Sequence, residues 1–388
     1  MAKRGNLGSG KLLVSFASRG KIGLINPDGT GEHYLEFDVP GQVSWQVGPQ
    51  FSDGRRLILL SIEEGKAWEG KVQTHLWVYD LFSQALAEIA AKDRPAPFTV
   101  CCALLPGEER MVVGPIVDGE QRIYTMNLDG SDQVPLTHRG EGFAYCVDLS
   151  PDATRLAFHV TGPGGLPYRI NVIDIDGQNQ IPVAHYPDHL YFGPVWSPDG
   201  EWLLYQDCHF KTDPGHDWSD LCLGRPDGSE HRVVTQGRRQ WFGTSYGGPE
   251  TRGGGSELPQ WSPDGSVVTH TRALPGSKTA WEFQPQRPDT DHFNRDYKPR
   301  EARGGTEICL LNPFSGEVKQ LSHNDPPLWD FRARFSPDGK RLLFSRAVVG
   351  CPCEIWVMDA DGGNQRFLTR GYQQMGADHA RWLVVRER

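Results

Sequence analysis

The stretch Trp196-Ser197-Pro198-Asp199-Gly200 decides the fold of this chain because it recurs. Close copies occupy residues 261–265 and 335–339, and weaker copies occupy 51–54 and 149–152. In such a turn proline presets φ, aspartate caps its own backbone, and glycine takes the conformation with positive φ. Each copy begins with an apolar or aromatic residue, and a hydrophobic run follows it. The repeat therefore predicts a strand, a tight turn and a second strand.

The repeats predict units of four strands, named A to D from the inner strand outward. Strand A ends at the S-P-D-G turn, strand B follows it, strand C ends at a second turn, and strand D ends near Leu-Thr or Val-Thr. The first unit starts with strand B at residues 11–17, and residues 379–383 resemble an A strand that nothing follows. The complete units span residues 45–89, 98–137, 145–184, 193–235, 258–321 and 332–369. We therefore predict an all-β, seven-bladed β-propeller whose C-terminal strand closes the first blade, which protects the strand edges.

Composition narrows the classes of partner. The formal net charge is −9, whereas a surface that follows nucleic-acid phosphates is usually basic, so we expect no nucleic-acid partner. The apolar run at residues 12–16 is too short for a signal peptide, and no run approaches membrane-spanning length. We therefore expect a cytoplasmic protein without a membrane partner. The eight cysteines include no C-x-x-C pair and are interpreted as reduced core thiols.

Residues 1–388 are predicted to form one propeller domain with long insertions at 208–219, 236–257 and 273–305. In the predicted ring the A-to-B and C-to-D turns lie on one face, and the other connections lie on the opposite face. All three insertions belong to the second set, so we expect them to converge. They are rich in His, Asp, Arg and aromatic residues, which suits a polar pocket with stacking surfaces.

Imidazole and carboxylate groups near this face are candidate ligands for a divalent metal such as Mn, Zn or Ca. The predicted metal ligands are His216, His292, His379 and Glu257. No H-x-H or H-E-x-x-H spacing occurs in the chain. The alternative interpretation is that these are hydrogen-bonded histidines of the loops and inner strands.

The repeat also resembles the TolB-type propeller repeat. The best example is Trp356-Val357-Met358-Asp359-Ala360-Asp361-Gly362 with Leu368-Thr369, and the similarity covers nearly the whole chain. The resemblance implies a propeller fold. It carries little about function, because one fold hosts many activities.

In architecture and length the chain is similar to the oligogalacturonate lyases, cytoplasmic seven-bladed propellers in which a histidine-bound metal assists cleavage of uronate oligosaccharides. The H-P-H-P motif of that family is absent, and its nearest counterpart is His379 in Asp378-His379-Ala380-Arg381. The resemblance implies a metal-assisted lyase acting on an oligosaccharide by β-elimination.

Eliminating a 4-linked uronate requires a base that removes the proton α to the carboxylate, and a cation that stabilises the enolate-like charge. The candidate catalytic residues are His209 or His270 as base, Tyr246 or Tyr297 as acid, and Arg272 or Arg332 as carboxylate clamp. The candidate substrate-binding residues are Trp241, Arg252, Arg332, Trp329 and Tyr191. For the arginines, ion pairing with nearby Asp and Glu is the alternative.

A second function fits the same residues. A non-catalytic TolB-like propeller binding a sugar or peptide would use the aromatic loops as a recognition surface and the histidines as its polar lining. The absence of a G-x-S-x-G motif leaves a serine hydrolase without support in the sequence.

Overall fold

The computed structural model describes residues 10–64, 74–89, 102–162, 166–208, 218–236, 240–241, 243–246, 253–283 and 295–386. This part of the chain is almost entirely β-structure and forms a β-propeller. Two short 3-10 helices, Pro299–Glu301 and Tyr372–Gln374, occur within it. None of its helices is long and apolar enough to cross a membrane.

Four separate sheets contain four antiparallel strands each. The first sheet has the order His33–Tyr34, Lys21–Ile25, Lys11–Ser18 and Asp378–Val385. The second consists of Gln42–Gln50, Arg56–Glu63, Thr74–Asp80 and Leu86–Glu88. The third consists of Ala103–Leu104, Arg110–Val113, Tyr124–Asn127 and Val134–Pro135. The fourth consists of Phe143–Leu149, Arg155–Gly162, Leu166–Asp174 and Ile181–Ala184.

The remaining major sheet has twelve strands. One group comprises Tyr191–Trp196, Leu203–Asp207, Trp218–Gly224 and His231–Val233. A second comprises Val268–Ala273, Thr306–Leu311 and Val318–Gln320. A third comprises Leu328–Phe335, Arg341–Val348, Glu354–Asp359 and Arg366–Thr369, and the twelfth strand is Gln240–Trp241. Three two-stranded hairpins are Ile116–Val117 with Glu120–Gln121, Gly243–Tyr246 with Gly253–Ser256, and Trp281–Phe283 with Arg295–Tyr297.

The described residues thus form five sheets of four or more strands, where the sequence predicted seven separate blades. Backbone pairing causes the difference. Gln240–Trp241 pairs with Trp218 on one side and with Arg272 on the other, and Thr306 pairs in parallel with Trp329. The predicted A strand at residues 258–261 is reduced to a single bridge between Trp261 and Val268.

The last strand of the chain completes the first sheet, as predicted. Asp378–Val385 runs antiparallel to Lys11–Ser18 and places Leu12 opposite Val384. The hydrophobic core lies between neighbouring strand groups. A core cluster joins each group to the next, and the cluster containing Val14 and Leu343 joins the last group to the first, so the ring closes.

The recurrent turn owes its form to two local hydrogen bonds. The Ser197 hydroxyl donates to Asp199 Oδ1 at 2.5 Å and accepts the backbone N–H of Trp202 at 2.9 Å. Gly200 takes a φ of +75°, which an L side chain adopts only with strain. The same serine and aspartate bonds recur at residues 262–267 and 336–341.

Candidate functional site

Bulges in the inner strands turn side chains out of the regular sheet. Pairing with the neighbouring strand shifts register between Tyr145 and Asp148, between Phe192 and Val195, and between Phe331 and Arg334. Within the bulges the left-handed region is taken by Cys146, Gly193 and Arg332. His379, in the inner strand of the first sheet, has a φ of +55°. Such conformations cost energy in residues other than glycine and cluster at functional sites. The bulged inner strands are therefore where a functional site is expected.

Glu257 is the centre of a buried polar network among these strands. Its side chain is almost fully buried. Oε1 accepts the Thr271 hydroxyl at 3.0 Å, and Oε2 accepts the backbone N–H of Arg332 at 2.7 Å. The backbone carbonyl oxygen of Glu257 accepts a hydrogen bond from Gln206 Nε2. Gln206 Oε1 in turn accepts one from the Ser219 hydroxyl at 2.8 Å. Burial raises the pKa of Glu257, although Arg334 and Arg332 oppose the shift.

A buried ion pair extends this network to the last strand. The Arg332 guanidinium donates to Asp378 Oδ2, and both side chains are more than nine-tenths buried. Asp378 Oδ1 also accepts the Ser345 hydroxyl at 2.8 Å. The pair therefore ties the inner strand at residues 328–335 to the strand at residues 378–385, the strand that closes the ring.

Two further basic residues join this network, Arg334 and Arg381. Burial lowers the pKa of Arg334 to about 10, while Glu257 acts in the opposite direction. Its guanidinium donates to the carbonyl of Leu258 at 2.6 Å. Arg381 is exposed and close enough to lower the pKa of both Arg334 and His379.

The side chain of His379 is exposed to water and lies next to the buried ion pair. Its side chain is 57% exposed, and its Nε2 lies 3.8 Å from Asp378 Oδ2. Desolvation lowers the pKa of His379 to about 4. The positive charges of Arg332, Arg381 and Arg334 also lower this pKa, whereas the carboxylate of Asp378 raises it. The imidazole is therefore neutral near pH 7 and able to accept a proton.

The charges of this inner-strand site favour an anion. Three guanidinium groups, those of Arg332, Arg334 and Arg381, neighbour two carboxyl groups, and burial disfavours the ionised form of Glu257. The local balance is positive although the whole chain carries a net charge of −9. A ligand carboxylate beside neutral His379 and exposed Arg381 fits this environment.

Arg272, the predicted carboxylate clamp, is already paired within the protein. Its Nε donates to Glu307 Oε1 at 2.7 Å, and its Nη2 donates to Gln320 Oε1 at 3.1 Å. The guanidinium of Arg272 is thus held in an ion pair with the buried Glu307. This is the alternative role that the sequence left open for the arginines. Sequence reasoning did not reach this partner because 35 residues separate the two.

Three other predicted site residues are packed in the interior. Tyr191 is 1% exposed, Trp329 is 3% exposed and His270 is 2% exposed. Trp329 packs with Phe331, and Tyr191 belongs to the core between two strand groups. In this structure none of the three side chains offers a surface to a ligand.

The other predicted site residues divide into two sets. His209, His216, His292 and Arg252 lie outside the described residues. For Trp241, Tyr246 and Tyr297 the structure gives the strand backbone alone, in Gln240–Trp241, Gly243–Tyr246 and Arg295–Tyr297. Their roles stay predictions.

The described residues do not supply a metal site. Nowhere in that part of the chain do three His, Cys, Asp or Glu side chains lie together as a metal centre requires. Of the four predicted ligands, only Glu257 and His379 are described, and Glu257 uses both carboxylate oxygens within the protein. The metal stays a prediction that involves His216 and His292.

Sequence reasoning missed Arg334 and Arg381 and left Asp378 without a role. A signal existed, since basic residues stand two positions apart on two inner strands, at 332 and 334 and at 379 and 381. Residues two apart share one face of a strand, so the spacing points to a basic patch. Only the closed ring brings the two strands together.

Comparison with known proteins supports the fold and leaves the activity open. No family model matches the chain. The uncharacterized peptidase YuxL of Bacillus subtilis is 28% identical over 183 residues, which is 42% of this chain. The match spans only 24% of that relative's length.

Solved structures similar to this chain include TolB propellers and oligogalacturonate lyases. A putative TolB from Agrobacterium tumefaciens is 17% identical, with a TM-score of 0.49 over 91% of this chain and 99% of that one. An oligogalacturonate lyase in complex with manganese is 16% identical, with a TM-score of 0.52 over 92% of this chain and 85% of that one. At such identities the similarity to the lyase establishes the propeller fold alone.

Proposed function

We propose that the protein binds a carboxylate-bearing oligosaccharide, a uronate oligomer, at the inner-strand site. The observation that carries this proposal is the grouping of three arginines. Arg332 and Arg334 lie beside Glu257, whose ionised form is disfavoured by burial, and Arg381 lies beside Arg334 and His379. Exposed Arg381 and neutral His379 supply the groups that reach a ligand. Guanidinium groups recognise carboxylates by charge-assisted, often bidentate, hydrogen bonds.

A second candidate function is elimination at the same site, and His379 favours it. The imidazole of His379 is unprotonated near pH 7 and can take the proton α to the uronate carboxylate. The electron pair of that C–H bond forms the new double bond as the bond to the 4-linked oxygen breaks. The leaving oxygen takes up a proton from water or from a predicted acid, Tyr246 or Tyr297, and Arg381 or Arg334 stabilises the enolate-like charge. Of the two predicted bases, His270 is buried and His209 lies outside the described residues.

No step of this proposal passes through a metal. The manganese bound by the similar oligogalacturonate lyase is a property of that protein. A metal contribution here requires His216 or His292 as ligands, and elemental analysis of the purified protein tests it. A zinc, manganese or calcium content near one ion per chain supports the prediction, and a stoichiometry near zero opposes it.

Calorimetric titration tests the binding proposal. Galacturonate oligomers should bind, and neutral galactose oligomers of equal length should bind about tenfold or more weakly, because they lack the carboxylate. Arg334→Gln and Arg381→Gln should each weaken binding of the uronate. Arg225→Gln is the matched control, because Arg225 is a half-buried arginine whose partners are Glu201 and Glu230. Equal affinity for acidic and neutral oligomers would contradict the proposal.

The appearance of an unsaturated product separates the two functions. Ultraviolet absorbance during incubation with uronate oligomers rises if the protein eliminates, and His379→Gln should then abolish the rise while retaining binding. Binding without any absorbance change supports the non-catalytic alternative.

Two structural predictions belong with this proposal. We propose that the twelve-stranded sheet corresponds to three blades, which gives seven in the ring. The core clusters support this, since each of its three strand groups packs against the next as separate sheets do. A cytoplasmic location is also proposed, and the buried, free thiols of Cys222, Cys309 and Cys353 are consistent with it.

A further inference from the structure

A cluster of aromatic and imidazole rings lies beside the inner-strand site and takes no part in it. It surrounds the connection from the strand Ile181–Ala184 to the strand Tyr191–Trp196. Its members are His185, Tyr186, His189, Tyr191, Tyr205 and His231. The cluster extends from the surface into the core, because Tyr186 is 54% exposed while Tyr191 and Tyr205 are buried.

The rings at the surface are parallel to one another or to rings below them. His185 and Tyr186 are stacked with an interplanar angle of 2° and a centroid separation of 6.1 Å. His189 stacks on buried Tyr191 at 7° and 5.6 Å. Tyr186 meets His231 edge-on at 5.6 Å. The exposed rings are therefore supported from beneath, which holds a preformed aromatic surface.

Hydrogen bonds fix the imidazoles. His189 Nδ1 lies 2.7 Å from Asp207 Oδ2, and Asp207 is 2% exposed. The Tyr205 hydroxyl lies 2.6 Å from His231 Nδ1. A carboxylate on Nδ1 sets the tautomer and the orientation of an imidazole, so the His189 ring is oriented from inside the protein.

The ring cluster and the inner-strand site meet at adjacent residues. Asp207 contacts His189, and the preceding residue, Gln206, donates to the carbonyl of Glu257. Adjacent residues of a strand point to opposite sides, so the strand Leu203–Asp207 separates the two sites and touches both. A ligand longer than one sugar unit that crosses the end of this strand, at Asp207, meets the ring cluster at His189.

We propose that Tyr186, with His185 and His189, forms a stacking subsite for a second pyranose ring of the oligosaccharide. This inference rests on the proposed function. A pyranose has an apolar face of C–H groups edged with hydroxyls, and the cluster offers an exposed ring face edged with imidazole nitrogens and a phenol hydroxyl. A peptide is the less favoured occupant, since the exposed rings carry polar edges that match the hydroxyls of a sugar.

Titration of uronate oligomers of increasing length tests the subsite. Tyr186→Ala should weaken binding of a trimer about tenfold and leave binding of the monomer unchanged, because the monomer occupies the inner-strand site alone. Tyr186→Phe keeps the ring and should bind the trimer within about twofold of the wild type. Phe82→Ala is the matched control, because Phe82 is 43% exposed on the second sheet, and it should leave every affinity unchanged.

The outcomes separate this inference from the proposed function. If Tyr186→Ala binds the trimer like the wild type, or weakens monomer and trimer equally, the subsite is wrong while uronate binding stands. If the wild type binds no uronate, the proposed function fails, and neutral oligosaccharides decide the subsite. If the wild type binds neutral oligosaccharides and Tyr186→Ala does not, the subsite is upheld. If the wild type does not bind them either, the subsite is overturned. Capture of peptides in place of sugars, lost in the same variant, also overturns it.

Discussion

The backbone N–H of Arg332 donates to Glu257 Oε2 over 2.7 Å, although 75 residues separate them in the chain. The left-handed conformation of Arg332 accompanies the bulge that interrupts pairing between Phe331 and Arg334. One residue therefore makes two contacts with acidic side chains, since its guanidinium pairs with Asp378. This relationship joins the segment that carries Glu257 to two inner strands, Leu328–Phe335 and Asp378–Val385, and is the structural basis of the site.

Removing Glu257 should destabilise the fold more than neutralising it. Glu257→Ala takes away the acceptor of the Arg332 N–H and of the Thr271 hydroxyl, and we expect a loss of about 2–5 kcal/mol. Glu257→Gln keeps the size and a carbonyl acceptor. Because burial already raises the pKa of Glu257, loss of its charge should cost only about 1 kcal/mol. Urea unfolding measures both, and equal losses would show that the charge itself is needed.

The Arg332–Asp378 pair should be worth far more than an exposed ion pair. Asp378→Asn leaves a buried guanidinium without its carboxylate, and we expect a loss of about 3–5 kcal/mol. Glu201→Gln is the matched control, since the Glu201 side chain is 67% exposed beside Arg225, and it should change stability by less than about 1 kcal/mol. Denaturation midpoints that are equal in the two variants would contradict the burial argument.

Stability should depend on pH through His379. Its pKa is about 4 in the folded protein and 6.5 in an unperturbed histidine, so the unfolded chain binds more protons between these values. The contribution of His379 to the unfolding free energy is therefore fully present above about pH 6.5 and is lost as pH falls through about 4. Glu257 acts in the opposite direction, because its raised pKa lets the folded state keep a proton at a pH where the unfolded chain has released it.

The variant His379→Gln isolates the histidine contribution. It should flatten the dependence of unfolding free energy on pH between 6.5 and 4, while Glu257 keeps its opposing slope. Unfolding titrations at several pH values measure the slopes of both proteins. An unchanged slope in His379→Gln would place the titration elsewhere.

The recurrent turn should depend on its serine. Ser336 is fully buried, donates to Asp338 at 2.6 Å and accepts the Arg341 N–H at 2.9 Å. Ser336→Ala should therefore cost about 1–3 kcal/mol by removing the acceptor of a backbone N–H. Ser315→Ala, in an exposed turn of another type, should change stability by less than about 0.5 kcal/mol. Thermal unfolding compares them, and similar losses would show that the turn does not depend on this serine.

Much of the fold was predictable because its signals are local. The predicted strand at residues 21–25 matches Lys21–Ile25, and the one at 354–359 matches Glu354–Asp359. The exception is the A strand at 258–261, which is a single bridge. Pairing of Gln240–Trp241 with strands on both sides merges groups that the repeat pattern treats as separate, because hydrogen bonding across an insertion leaves no periodic trace.

The candidate site was predictable only in part. The sequence predicted Glu257 and His379 as metal ligands and Arg332 as a substrate-binding residue, and the structure places all three in one polar network. Tyr191 and Trp329 are core residues, and Arg272 is held by Glu307. Sequence shows that a residue is aromatic or charged but not whether a neighbouring sheet covers it.

The sequence by itself determined the repeat and its turns, since each S-P-D-G turn closes its hydrogen bonds within six residues, as from Ser197 to Trp202. The A strand missing from the first unit also predicted that the C-terminal strand pairs with it. Only the tertiary structure decided which side chains meet at the centre. Glu257 follows the strand Gly253–Ser256, and Arg332 and Asp378 come from two inner strands, with 75 positions between the first two residues and 46 between the last two. Contacts at such separations exist only once the ring has closed, because closure alone sets the distance, the burial and therefore the charge state of these groups.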